Sequence, residues 1–181
     1  MSTLREHRWR IAAAVVALAV VILGKQYYRD ATAYDLRWIL APTAKLVSWV
    51  SGGSFVYEAG PGWVDPHIRF IIAPPCAGVN FALAAFLALA LGALPAMRTA
   101  RGTAVRLAGA AAVAYVATLV VNTTRIAIAI AMHRGTIDIG GYDRAELHRI
   151  EGIVVYLGGL CVLYGIARSV ANRSQDHVAA R

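Results

Sequence analysis

The sequence predicts an all-α integral membrane protein with about four transmembrane helices, an interfacial helix and a small extracytoplasmic β-hairpin. Three observations carry this. Hydrophobic residues make up 59% of the 181 residues and the mean hydropathy is +0.57, whereas soluble domains are nearer half apolar. The apolar residues gather in runs long enough to cross a bilayer. The basic residues behind the net charge of +8 stand beside those runs, which is how topology signals are distributed. No nucleic-acid motif accompanies them. Repeats and long polar linkers are lacking, so residues 1–181 read as a single membrane domain.

The first span covers about 9–28. Its core is "IAAAVVALAVVILG", with Trp9 at one end and Tyr27 and Tyr28 at the other, the placing of an aromatic belt. "REHRWR" before an apolar run also resembles a signal peptide. An uncleaved anchor is the better reading. The second span is about 76–95 ("CAGVNFALAAFLALALGALP") and the third about 105–132. The fourth, about 152–167 ("GIVVYLGGLCVLYGIA"), includes Gly158 and Gly159, small residues that let helices approach.

Charge sets the orientation. Arg5, Arg8 and Arg10 precede span one, Arg98, Arg101 and Arg106 join spans two and three, and Arg168, Arg173 and Arg181 follow span four. Only Glu6 and Asp176 oppose them, whereas basic and acidic residues balance in the other connections. Both termini are therefore expected in the cytoplasm, with connections 29–75 and 133–151 outside. In the first of these, "AYDLRWILAPTAKLVSWV" (33–50) reads as an interfacial helix. A fifth span there would spoil the charge rule. "SFVYEA" and "HIRFII", separated by "GPGWVDP", read as a hairpin above the membrane.

With this topology three chemically capable side chains share one height. Cys76 opens span two from outside, and His148 precedes span four, also outside. Arg125 stands nineteen residues after Arg106, roughly 28 Å along a helix crossing a core about 30 Å thick. A lone membrane cysteine is ordinarily an apolar filler, and Cys161, in mid-span, is read so. Cys76 differs because it stands at a helix start, where backbone N–H groups stabilise a thiolate. Gly78 leaves room beside it, and Asn80 shares its face. Two cysteines without CxxC give neither a disulfide framework nor a zinc site. Arg125 follows "VNTT", a polar cluster beginning at Asn122, and intramembrane charge normally faces a partner inside the bundle. His133, at the end of the third span, rivals His148. It stands about 80° round the helix from Arg125 and about 12 Å further along. His67 and the terminal histidines are poorer candidates.

"APPCAGVNF", "NTTRIAI" and "HRIEGIVVY", in that order, resemble the exosortase/archaeosortase family of membrane cysteine transpeptidases, and its exosortase K branch most. The resemblance spans about 55–165. It implies a nucleophilic cysteine, an arginine and a histidine, which fall on Cys76, Arg125 and His148. Gly78, Asn80 and Asn122 are supporting or substrate-binding candidates. Most of the family follows the cysteine with Ser-Gly and has more spans, whereas this chain has Ala77-Gly78 and a smaller core.

The resemblance further implies a thiol protease/transpeptidase in the cytoplasmic (inner) membrane, its active site extracytoplasmic. Its partners would be the lipid bilayer and exported proteins whose carboxy-terminal sorting tail is a short motif, an apolar helix and basic residues. No metal, organic cofactor or nucleic acid is implied. A non-catalytic membrane scaffold or assembly subunit is the alternative. A thiol redox protein is less favoured, because Cys76 lacks a partner cysteine.

Overall fold

The computed structural model describes the backbone of residues 2–135 and 144–179, and the side chains of 7–135, 146, 147 and 149–170. The elements run α1 (Ser2–Asp30), α2 (Arg37–Ser51), β1 (Val56–Glu58), β2 (Gly62–Asp65), β3 (Phe70–Ile72), α3 (Val79–Gly92), α4 (Ala100–His133) and α5 (Arg144–Ala179). Single 3₁₀ turns at Pro74–Cys76 and Leu94–Ala96 flank α3. The fold is mainly helical with a small sheet. Among the described residues four helices are long and apolar enough to cross a membrane: His7–Asp30, Pro74–Gly92, Ala100–His133 and Arg149–Val170. These agree with the four expected spans. The helices run beyond their apolar cores, and α5 begins at Arg144 inside the stretch 133–151 expected as a connection. Hydropathy marks only the part of a helix that meets lipid. "RAELHR" is a run of helix-tolerant residues that hydropathy does not register.

The chain divides into two compact units, Met1–Gln26 with Asn80–Ala117 and Gly158–Arg181, and Tyr27–Val79 with Thr118–Leu157. In the first, Ala13 and Ala17 are buried one turn apart while Ile11, Val15, Leu18 and Ile22 stay exposed, as befits a helix whose outward face meets lipid tails. Gly24 lets α3 come close, since a Cβ there would lie 2.8 Å from Leu83 Cδ2. Arg10 donates to the Pro95 carbonyl at 3.0 Å. Where α4 starts, Thr99 Oγ1 accepts the Gly102 N–H at 3.1 Å and satisfies one open donor of the first turn.

The second unit holds α2, the sheet and the polar stretches of α4 and α5. A reciprocal turn introduces α2. Thr32 N–H and Oγ1 donate to Asp35 Oδ2 at 2.9 and 2.7 Å, and Asp35 N–H donates back to Thr32 Oγ1. The Thr32 hydroxyl and N–H hold the Asp35 carboxyl below its ordinary range. α2 buries Ile39, Leu40, Thr43, Ala44 and Val47 and exposes Trp38 and Trp49. At 15 residues it is about 22 Å long, short of a hydrocarbon core of about 30 Å.

The expected hairpin is a three-stranded antiparallel meander, ordered β1-β2-β3. "GPGWVDP", expected as the turn, supplies the central strand. Its glycines and prolines signal turns, yet three residues, Trp63, Val64 and Asp65, stand between Gly62 and Pro66, and Trp63 and Asp65 point to the buried side. Val56, Val64 and Ile71 stand in register, as do Trp63 with Ile72 and Asp65 with Phe70. Asp65 closes the meander. Its Oδ2 accepts Ser54 N–H at 2.6 Å, and its Oδ1 accepts His67 and Ile68 N–H at 2.9 and 3.3 Å. Burial pushes this carboxyl up. The three N–H donors and the nearby His67 outweigh it and leave the group below its ordinary range.

Candidate active site

β3 leads directly to Cys76. Pro74 and Pro75 restrict the backbone, and the turn closes when Cys76 N–H donates to Ala73 O at 2.8 Å and Ala77 N–H to Pro74 O at 3.0 Å. Tyr28, at the end of α1, also donates to Pro74 O, at 3.2 Å. Cys76 thus ends a 3₁₀ turn just ahead of α3, slightly outside the helix start expected for it. It is half-buried and its thiol is free.

Gly78 reverses the chain between that turn and α3. Its φ of +70° lies in the left-handed region, and a Cβ would stand 3.0 Å from Asn122 Cγ and 3.2 Å from Thr118 Cγ2. Conformation and space both require glycine here. The close approach brings the loop onto Asn122, which is fully buried. Asn122 Nδ2 donates to the Cys76 carbonyl at 2.6 Å, and its Oδ1 accepts the Tyr156 hydroxyl at 2.7 Å. One amide, used as donor and acceptor together, joins the cysteine loop, α4 and α5.

Arg125 lies one turn beyond Asn122 on α4. Its Nε is 3.8 Å from Glu151 Oε2, with only 13% and 7% of the two side chains exposed. Its guanidinium carbon sits 5.3 Å from the centre of the Tyr156 ring, within cation–π range. Gly152 gives the arginine its berth, because a Cβ there would lie 3.0 Å from Nε. Tyr28 and Tyr156 each lie within electrostatic reach of both Cys76 and Arg125.

The structure therefore gathers Cys76, Gly78, Asn122 and Arg125 in one unit. His148 lies on the α5 backbone, three residues before Glu151 and four before Gly152. Its side chain lies outside the described residues. His133 is engaged elsewhere, its Nε2 3.0 Å from Ile68 O and its ring edge-on to Phe70 at 5.9 Å. Asn80 is exposed on the first turn of α3, where its Oδ1 accepts Lys25 Nζ at 3.0 Å. Cys161 is free and exposed, as suits a lipid-facing residue. Among the described residues no three His, Cys, Asp or Glu side chains come together as metal ligands.

Sequence reasoning missed Glu151, Tyr156 and Tyr28. Glu151 carried a signal, an acid at the edge of an apolar span and one turn from His148. Tyr28 and Tyr156 resemble ordinary belt or span aromatics until their hydroxyl partners are known.

A family model described as transmembrane exosortase (Exosortase_EpsH) matches residues 3–165. The chain belongs to the transmembrane exosortase family. No curated protein and no solved structure matches it. The match covers the segments gathered above, from the cysteine loop to Tyr156.

Proposed function

We propose that this exosortase-family chain is a membrane cysteine protease/transpeptidase of the exosortase K type that cleaves carboxy-terminal sorting tails of exported proteins. The observation that carries the reading is the Asn122 amide bridge between the Cys76 carbonyl and Tyr156. It orients the cysteine loop beside the helix that also bears Arg125.

In this mechanism the Cys76 thiolate attacks the carbonyl carbon of the scissile peptide bond. Arg125 stabilises the oxyanion that develops there. The C–N bond breaks, His148 gives its proton to the leaving amine, and the tail departs, leaving the substrate's acyl group as a thioester on Cys76. An acceptor nucleophile then attacks the thioester, loses its proton to His148 and releases the thiolate. Water in that role gives hydrolysis. Charge distribution supports both termini in the cytoplasm and this chemistry at the outer face of the cytoplasmic membrane, where a sorting tail leaves the bilayer.

The buried Arg125–Glu151 pair favours a second reading, a scaffold in which polar residues lock helices together. Cys76→Ser separates the two. The test is conversion of a co-expressed, tagged exported protein with a basic-ended apolar tail, at matched membrane levels. The protease reading expects no shortened product, and normal conversion by Cys76→Ser would establish the scaffold.

A further inference from the structure

The meander has two edges, and only one leads to the cysteine. The Ile72 carbonyl oxygen lies 2.7 Å from where a Cβ on Gly62 would stand, so it points at β2. In an antiparallel ladder the backbone groups of successive residues alternate in direction. Ile71 N–H and C=O therefore point away from β2, toward the outer edge of β3. Among the described residues no hydrogen bond from outside the ladder is seen at Ile71. The Ile71 side chain is 47% exposed and continues a cross-strand row with Val64 and Val56. An outward N–H and C=O on one residue match the backbone of one more extended chain.

We propose that the outer edge of β3, at Ile71, receives the substrate's sorting motif as a fourth strand, parallel to β3. This rests on Cys76 being the nucleophile. β3 runs toward Cys76 and ends four residues before it. A substrate segment that precedes the scissile bond must also run, amino to carboxyl, toward Cys76, so the two chains are parallel. The apolar helix that follows the scissile bond belongs in the bilayer, which leaves the upstream residues for the sheet. From Ile71 to Cys76 the chain spans roughly 14 Å, at about 3.3 Å per extended residue and about 2 Å per 3₁₀ residue. The substrate residue beside Ile71 is accordingly about four positions before the cleaved bond. Parallel pairing asks that substrate for an extended, non-proline backbone where it meets the Ile71 carbonyl. It also favours an aliphatic side chain that lengthens the Val56–Val64–Ile71 row. The β1 edge does not serve, since two strand spacings set it about 10 Å further from β3.

Disulfide crosslinking tests this in the full-length, membrane-embedded chain carrying Cys76→Ser and Cys161→Ser. The probe is the tagged exported protein described above, with single cysteines walked through the residues before its apolar tail. Ile71→Cys should crosslink most strongly to a cysteine about four residues before the cleaved bond, and Val56→Cys should not. Equal crosslinking from Val56→Cys, or none from Ile71→Cys, overturns the docking proposal. A Cys76 thioester in the otherwise wild-type chain reports separately on the nucleophile. With the thioester present and the crosslink absent, only the docking proposal fails. In parallel, Ile71→Pro removes the outward N–H without touching the β2 ladder. It should weaken processing about tenfold at limiting substrate, while Ile71→Val should not. Wild-type processing by Ile71→Pro also overturns the proposal.

Discussion

Asn122 and Asp65 are both fully enclosed, yet they do different work in the same unit. Asp65 only accepts. Its three donors are backbone N–H groups of Ser54, His67 and Ile68, all belonging to the meander it closes. Asn122 donates and accepts, to the Cys76 carbonyl and from the Tyr156 hydroxyl, and so connects segments far apart in sequence. An acceptor surrounded by its own loop builds architecture. A two-way amide among a thiol loop, a cation-bearing helix and a tyrosine fixes relative positions, which is what a reacting group needs. Substitutions at the two residues should therefore separate stability from processing.

Of the two enclosed residues, the larger effect on processing is expected at Asn122, for Asn122→Asp. The shape is kept, but an ionised carboxylate cannot donate to the Cys76 carbonyl. Misplacement of a reacting group by about 1 Å costs on the order of 100-fold, and processing should fall by about that much with the protein still in the membrane. Near-normal conversion would reduce the amide bridge to packing.

Gly152→Ala comes next. Its methyl would stand 3.0 Å from Arg125 Nε, so the guanidinium must shift. Conversion should drop about tenfold or more while membrane levels hold. Arg125→Lys should match or exceed this loss, because a point charge does not reproduce the planar fork.

A smaller effect, of a different kind, is expected at Asp65. Asp65→Ala strands three backbone donors and should cost about 1–3 kcal/mol of stability, with processing at permissive temperature little changed. The pH dependence has a definite sign. The Asp65 carboxyl is depressed in the folded protein. Its contribution is therefore complete above the unfolded value of about 3.9 and lost as pH falls through the lower folded value. Thermal unfolding in detergent should show wild type losing stability below about pH 4 more steeply than Asp65→Asn. The smallest effect is expected at His133, which bonds the Ile68 carbonyl. His133→Ala should retain processing, while His148→Ala should abolish it. The reverse pattern would move the proton donor to α4.

Much of this was legible in the sequence. The four spans follow from run length and hydropathy, and Cys76, Gly78, Asn122 and Arg125 stood out as polar or glycine interruptions of apolar helix. The central strand was hidden because Gly62 and Pro66 look like turn residues while Trp63 and Asp65 reveal their alternation only once buried. Tyr156 was hidden for another reason. A tyrosine in an apolar span looks like packing unless its hydroxyl partner is known, and that partner, Asn122, lies 34 positions away. Asn80 accepts a hydrogen bond from Lys25, 55 positions away, a pairing that the sequence does not announce.

The central claim is that Cys76 is an acylated nucleophile. It is tested most directly by mass spectrometry of Cys76 after brief exposure to the tagged exported substrate, with and without neutral hydroxylamine. The account predicts a peptide containing Cys76 that carries the substrate's upstream segment as a thioester, removed by hydroxylamine and absent in Cys76→Ser. Efficient tail cleavage by Cys76→Ser, or an unmodified Cys76 throughout turnover, would contradict it.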